Sequence, residues 1–305
     1  MTELSVIVPT YGRVTKIKNA IESILSNGDF EVIVVDDNGV GTENQLNTEL
    51  ILSSFIEREQ LKYYPLEENS GAGIARNFAI SKASGEYITF LDDDDFFIEG
   101  KLLDKLNFFK ENSENYDICC SHMEVKNNGN SLAVKDDKFI GKDARTFLLE
   151  GSCYTSMIMI KKSAIEKIDG FYDTPYLQDH TLMLKAFLYD FKVCVFESSI
   201  FVHTVHDGLT ITTGRRPIAG VELRCKLEQE LATKLCLSNK ERNTLDYRWN
   251  TIKYHGYWLK RGRSFSLLKF LLTGVAFRSK TKSEILDSLK LLVKFLIGYQ
   301  YYTSN

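Results

Sequence analysis

The sequence predicts an α/β fold in which a mostly parallel sheet carries helices on both faces and is followed by an all-helical C-terminal segment. Three observations carry that expectation. Over the first third of the chain, short apolar runs alternate with segments whose apolar residues recur at helical spacing. The runs are apolar throughout rather than at every second position, as strands buried on both faces are. From Val221 onward no strand pattern remains. A chain of 305 residues holds one large or two modest domains. The change of pattern divides it into an α/β domain over 1–215 and a helical region over 216–305.

In order, Leu4–Pro9 reads as a buried strand, and Val14, Ile17, Ala20, Ile21, Ile24 and Leu25 as one helix face that stops at Gly28. Glu31–Val35 is a second strand and ends in Asp36-Asp37. Leu61–Tyr64 is a third strand, Gly71–Ser84 a helix, and Tyr87–Leu91 a fourth strand that runs into Asp92-Asp93-Asp94-Asp95. Further on, Asp117–Val125 and Ser131–Val134 flank Asn127-Asn128-Gly129-Asn130, a hairpin signal. A short helix near Lys142–Glu150, a strand Ser156–Ile160, a helix around His180–Leu188 and a strand Ser199–Val202 complete the α/β part. In the tail, Phe265, Leu267, Leu268, Phe270 and Leu271 mark one helix, and Ile285, Leu286, Leu289, Leu292, Val293 and Phe295 another.

The formal charge of −3 gives no electrostatic case for binding nucleic acid. The charge is unevenly spread, however. From Arg248 to the last residue eleven Lys or Arg stand against two acids, which leaves −12 on everything before them. Such asymmetry points to an anionic surface near the tail, most simply a membrane leaflet. Cations beside aromatic-rich helices suit an interfacial helix; packing of the same faces on the α/β domain or on a second subunit, as a homo-oligomer, is the other reading. The first residues carry no basic run, and no stretch of about 18 apolar residues occurs. The expected location is therefore the cytoplasm, peripheral at the inner face of the cell membrane. Cys119, Cys120, Cys153, Cys194, Cys225 and Cys236 show no C-x-x-C spacing and read as small buried hydrophobes.

The acids carry the chemistry. In an α/β sheet ligands bind beyond the carboxyl ends of the strands, where these acids cluster. Four adjacent aspartates oppose one another's ionisation and require a counter-cation. Mg²⁺ or Mn²⁺ suits such oxygen donors, and each leaves coordination positions open for substrate phosphates. At the second strand one carboxylate of Asp36-Asp37 fits the N3–H of uracil or thymine, while for Asp36 a turn or helix-cap role is equally consistent.

Five motifs occur together in order: Val8-Pro9-Thr10-Tyr11-Gly12-Arg13, Val34-Val35-Asp36-Asp37-Asn38-Gly39, Asn69 to Asn77 (NSGAGIARN), Gly85 to Asp95 (GEYITFLDDDD), and Gly170-Phe171-Tyr172-Asp173. As an ordered set they resemble glycosyltransferase family 2, inverting enzymes of the GT-A fold, over roughly the first 210 residues. The resemblance implies that Pro9, Thr10 and Tyr11 lie along the nucleoside of a nucleotide-sugar donor, with Arg13, Asn69 and Gly71 in the same site. It implies that Asp37 reads the pyrimidine, and that Arg76 neutralises phosphate and braces Asp37. Asp94 matches the direct metal ligand, Asp92 and Asp93 the residues contacting ribose or metal-bound water, with Asp92 a second candidate ligand. The catalytic base falls on Asp179, where Gln178 departs from the Glu that usually precedes it. His203 and His206, an H-x-x-H after a strand, are candidates to close the metal site, or else structural.

What the resemblance implies is metal-dependent, non-processive transfer from a UDP- or similar sugar to a glycan or lipid-linked acceptor in bacterial surface polysaccharide or glycoconjugate assembly. A non-catalytic nucleotide-sugar-binding partner subunit is the alternative that Gln178 keeps open. A dinucleotide oxidoreductase lacks its G-x-G-x-x-G, and a sugar nucleotidyltransferase its Gly-rich basic loop after the first strand. Leu245 stands where a processive synthase of this family carries the Gln of Q-x-x-R-W.

Overall fold

The structure, a computed structural model, describes residues 2–127, 134–205 and 218–297. The chain divides into two compact units, Met1–Gly208 and Leu209–Asn305. In the first unit, strand β1 (Leu4–Thr10) lies between β2 (Glu31–Asp36) and β4 (Tyr87–Phe90), parallel to both, and β3 (Lys62–Pro65) continues the parallel run beyond β2. All seven residues of β1 are buried. Because successive side chains point to opposite faces, both faces of the sheet are covered there. Beyond β4 the sheet becomes mixed. Strand β8 (Ile158–Lys161) runs antiparallel between β4 and β6 (Ile118–Asn127), while β9 (Val193–Val205) runs parallel to β6. The two-residue β5 (Phe96–Phe97) pairs antiparallel with β9, and β7 (Val134–Asp137) with β6.

One helix in this unit has no apolar stripe for a sequence reading to find, and in another the stripe is shared with a buried charge. In α2 (Glu43–Glu57) the buried residues are Gln45, Thr48 and Leu52, while Leu46 and Leu50 face solvent. In α4 (Lys101–Asn112) a fully buried Lys105 interrupts Leu102, Leu106 and Phe109; its ammonium donates to the Met157 carbonyl at 2.8 Å and the Ser121 hydroxyl at 3.1 Å. Periodicity of apolar residues is blind to α2 and to the burial of Lys105. The other helices are α1 (Ile17–Leu25), α3 (Ala72–Lys82), α5 (Ala144–Glu150), α6 (Lys162–Lys167) and α7 (Gln178–Leu188).

Some boundaries move. The expected strand at Ser156 opens instead as a 3-10 turn, Thr155–Met157. The second hairpin strand is described over Val134–Asp137, beyond the expected end at Val134, and residues 128–133, with the turn, lie outside the described residues. Five of the cysteines are buried as expected, but Cys236 is exposed.

Glu31 ties the edge of the parallel sheet together. Its carboxylate accepts from the Lys62 ammonium at 2.6 Å, from the Ser84 amide at 2.7 Å and hydroxyl at 2.8 Å, and from Ser5 Oγ. Burial raises its pKa, and these donors outweigh burial and bring it down to about 2. A carboxyl depressed on folding stabilises the fold above its unfolded value, near 4.3, and that contribution disappears as pH falls toward 2. Glu31→Gln should therefore cost about 1–2 kcal/mol at pH 7 and flatten the loss of stability between pH 4.5 and about 2, as read by urea denaturation at a series of pH values.

The second unit is helical. It comprises α8 (Ile218–Lys234), α9 (Asn239–Arg261), α10 (Phe265–Phe270), which runs into a π-helical turn Leu271–Val275, and α11 (Lys282–Leu296). Its core is Tyr254, Trp258, Leu267, Leu271, Val275, Leu291 and Phe295. Ser238 with Glu241, and Thr281 with Glu284, form capping boxes that start α9 and α11. Glu228, fully buried on α8, accepts from Arg224 Nε at 2.8 Å and Trp249 Nε1 at 2.6 Å, and so links α8 to α9. No helix among the described residues is long and apolar enough to cross a membrane.

Candidate active site

The acids beyond β4 sit where the parallel strands end. Leu91 N–H still donates to Ile7 O at 3.0 Å, and the chain then leaves the sheet through Asp92 to Asp95. Each of the four carboxylates finds a partner from a distant segment. Asp93, 3% exposed, accepts from Thr10 Oγ1 at 2.7 Å and Arg13 Nη1 at 3.1 Å. Asp94 lies 2.8 Å from the same Arg13 nitrogen. Asp92 pairs with Arg76 Nη2 at 2.6 Å and keeps 38% of its side chain exposed.

Asp95 owes its partner to strand register. In the antiparallel β5–β9 pair, Phe97 faces Phe201 and Phe96 faces Val202, so the next residue, Asp95, meets His203. His203 Nδ1 is 3.1 Å from both Asp95 oxygens, and Thr204 N–H donates to Asp95 at 3.0 Å. His203 therefore stands inside β9 rather than after a strand that ends at Val202. His206 lies outside the described residues.

The counter-cations that four aspartates require are thus partly supplied by the chain itself, in Arg13, Arg76 and His203. Arg13 was expected in the donor site; here it clamps two of the aspartates. Five carboxylates, counting Asp179, still outnumber the three cations. Burial first, with the Asp94 carboxylate adding to it, pushes Asp93 up to about 6 despite Thr10 and Arg13. Burial likewise raises Asp95, against the opposing pull of His203, and the Asp95 carboxylate in turn raises His203 against its own burial.

Arg76 corrects an expectation. It does not brace Asp37: one terminal nitrogen holds Asp92 and the other donates to Gln178 Oε1 at 2.7 Å. Its guanidinium lies over the Phe171 ring at 5.6 Å, and Phe171 packs edge-on against Phe90 at 5.2 Å. At 4% exposure, with both terminal nitrogens engaged, Arg76 is a strut between the β4 acids and the start of α7.

Asp37 is a pin of another kind. Its two oxygens accept the backbone N–H groups of Ser70 at 2.7 Å and Gly71 at 2.8 Å, and Asn69 Nδ2 donates to the Asp37 carbonyl at 3.2 Å. Asp37, Asn69 and Gly71 are therefore brought together as predicted, but to fasten the β3–α3 loop to the end of β2. Asp36, left open between turn and function, is structural: Asn38 and the Tyr63 hydroxyl hold its two oxygens, the latter at 2.6 Å. Thr10 and buried Pro9 end β1 beside these groups, and Tyr11 is 60% exposed.

Asp179 stands in the first turn of α7 and accepts from the His180 N–H at 2.7 Å. Burial pushes its carboxyl up to about 6; that amide and Arg76 oppose the shift, and Asp92 adds to it. Asp179 therefore shares a field with the Arg76–Asp92 pair. The residue before the helix, Leu177, has φ 61°. A branched side chain in the left-handed region is strained, and such strain is held by the surroundings. Here Gln178 Nε2 donates to Thr174 O at 2.9 Å, Thr181 Oγ1 donates to Leu177 O at 2.8 Å, and His180 stacks on Phe147 at 4.7 Å.

The Gly170–Asp173 turn is what sets α3 against α7. Asn77 on α3 makes two hydrogen bonds to the Phe171 backbone, accepting from its N–H at 2.8 Å and donating to its carbonyl at 2.9 Å. From α7, Lys185 donates to the Gly170 carbonyl at 3.1 Å and lies over the Tyr172 ring at 4.4 Å. Gly170 has φ 56°, and a Cβ there would fall 2.2 Å from Asn77 Oδ1, so both conformation and contact demand glycine. Gly73 also brings α3 close to the turn: a Cβ would sit 3.0 Å from the Tyr172 carbonyl.

Sequence reasoning missed Asp95 with His203, the Arg13 clamp and the Arg76–Gln178 link. The signal that could have found them was charge balance, since buried acids need partners.

Residues 5–169, more than half of the chain, match the sequence profile of Glycosyl transferase family 2. An uncharacterized glycosyltransferase of Rickettsia felis is 36% identical over 114 residues, 37% of this chain; this chain spans only 18% of that relative's length. GalNAc(5)-diNAcBac-PP-undecaprenol beta-1,3-glucosyltransferase of Campylobacter jejuni is 26% identical over 97% of this chain and 96% of its own. The crystal structure of S. aureus TarS residues 1–349 with UDP-GlcNAc superposes with a TM-score of 0.67 at 20% identity, over 99% of this chain and 93% of that one. The profile match, the shared fold and the ordered motifs place this chain in glycosyltransferase family 2, with a GT-A-type mixed sheet followed by C-terminal helices.

Proposed function

We propose that this protein transfers a sugar, with inversion, from a nucleotide-diphosphate sugar to a hydroxyl of a glycan or lipid-linked acceptor. The observation that carries the proposal is Asp179. A carboxylate at the start of α7, raised by burial to about 6 beside an arginine-braced cluster of acids, is suited to general-base work. UDP is the nucleotide we favour, because the TarS structure holds UDP-GlcNAc. A lipid-linked acceptor accords with the name of the Campylobacter jejuni relative.

The Asp179 carboxylate takes the proton of the acceptor hydroxyl as that oxygen attacks the anomeric carbon. Attack comes from the face opposite the diphosphate, so configuration inverts. Arg76 and Gln178 hold the base and Asp92 in one frame. Asp37 fixes the loop beside which the nucleoside lies.

A hard divalent ion, Mn²⁺ or Mg²⁺, fits the surplus of carboxylates at the end of β4. Among the described residues no three His, Cys, Asp or Glu side chains form a ready-made cage. An ion held by one or two carboxylates together with substrate phosphates needs none. Asp94 and Asp92 would hold it. His203, whose Nδ1 is oriented by Asp95, has Nε2 as its remaining donor. When bound, the ion would stabilise negative charge on the leaving diphosphate.

The experiment is nucleoside diphosphate release from a panel of sugar nucleotides, with Mn²⁺ and with EDTA. Release from one donor should fall to background in EDTA, and Asp94→Ala should lower it at least about 100-fold. Release unaffected by EDTA would remove the metal from the proposal. Tight nucleotide binding without turnover would return the reading to a binding subunit.

A further inference from the structure

We propose that α11 docks the protein onto an anionic lipid surface through its outward face. The helix has two apolar sides. At about 100° per residue, Ser288, Leu291 and Phe295 share one stripe and are buried in the core of the second unit. Ile285, Leu286, Leu289, Val293 and Leu296 share another, turned away from the first, and are between 48% and 62% exposed. A surface helix of a globular protein places polar residues there. Monomeric proteins seldom leave a contiguous apolar stripe uncovered, and one bordered by charge marks a docking site.

The charge on the border selects the occupant. Lys282 stands at the N-terminal end of the stripe, and Lys290 and Lys294 follow one edge. Lys290 keeps most of its side chain in solvent, although it lies 3.0 Å from Asp287. Across the whole segment from Arg248, cations exceed acids by nine. A second copy of this chain would bring the same surplus to the interface and be repelled. Anionic headgroups attract it, at about 1 kcal/mol for each Lys or Arg near the surface. The aliphatic stems of such lysines lie along apolar surface while the ammonium groups reach headgroups.

Elsewhere in the unit, two phenylalanines are more exposed than any residue of the stripe, Phe265 at 83% and Phe277 at 79%, and Lys280 lies over the Phe277 ring at 5.8 Å. Side chains of that kind favour the boundary between acyl chains and headgroups. The helix lies in the plane of the interface, since no described helix can span.

The test is co-sedimentation of the full chain with phosphatidylglycerol–phosphatidylcholine vesicles and with phosphatidylcholine vesicles alone. The unmodified protein should bind the anionic vesicles at least tenfold more tightly than the neutral ones and be weakened by salt. Leu289→Glu with Val293→Glu should reduce binding tenfold or more, with circular dichroism and melting temperature unchanged, since both side chains are more than half exposed. Lys282→Glu with Lys290→Glu should abolish the preference for anionic lipid and leave the apolar stripe intact. No binding by the unmodified protein, or equal binding by the Leu289/Val293 variant, overturns the proposal. A dimer seen by light scattering that the Leu289/Val293 variant converts to monomer would also overturn it, in favour of self-association.

Discussion

Asp179→Asn should lower sugar transfer roughly 10²- to 10⁴-fold, the range a positioned general base contributes, while leaving the fold at least as stable as before. Both halves follow from one environment. Burial raises the Asp179 carboxyl to about 6, so its charged form is less favourable in the folded protein than in the unfolded chain. An acid raised on folding loses stability as pH climbs from its unfolded value, near 3.9, through its folded one. Above pH 6 the native protein carries that penalty, and the amide of Asn does not. The catalytic signature has the opposite sign: kcat should fall below about pH 6 as the base is protonated, and Asp179→Asn should erase that limb. Near-normal transfer by a folded Asp179→Asn protein would show that another group takes the proton.

Asn77→Leu should be among the most destabilising single changes in the first unit, although Asn77 belongs to neither the acid cluster nor the base. Its side chain satisfies both the N–H and the carbonyl of Phe171, whose ring is buried under Arg76. Leucine leaves both backbone groups without partners, at about 1–3 kcal/mol each. For a unit of this size each kcal/mol moves the melting temperature by about 2–4 °C, so a drop of roughly 5–15 °C is expected by calorimetry. Transfer by the surviving folded protein should also weaken, because the Gly170–Asp173 turn carries Phe171, on which Arg76 rests, and the carbonyl held by Lys185. An unchanged melting temperature would mean that the turn is held by Lys185 and packing alone.

Strands β1, β2 and β4 were legible in the sequence because a strand buried on both faces must be apolar along nearly its whole length, a local property. The placement of Asp37 and Asp92 to Asp95 at strand ends followed for the same reason. Helix α2 was not legible, and neither was the buried lysine of α4. Their inward faces carry Gln45, Thr48 and Lys105, polar groups whose partners lie on other segments, as Met157 and Ser121 do for Lys105.

The site divides in the same way. Asp179, Asp92, Asp94 and Arg76 could be named from motifs, but the partner of Arg76 could not. The sequence suggested Asp37, and the fold supplies Asp92 and, 102 residues away, Gln178. The Asp95–His203 contact spans 108 residues and exists because the β5–β9 register sets the two opposite one another. In the tail, composition alone showed aromatic and cationic residues together without saying which were covered. Tertiary packing divides them: Trp258, Leu291 and Phe295 go into the core, while Leu289, Val293 and Leu296 stay outside.

By itself, then, the sequence determined which segments had to be buried and where the acids would cluster, because burial and charge density are written in consecutive residues. Only the tertiary structure decided which cation answers each acid and which apolar face is left for a partner. Those outcomes depend on strand register and helix contacts between residues tens to a hundred positions apart.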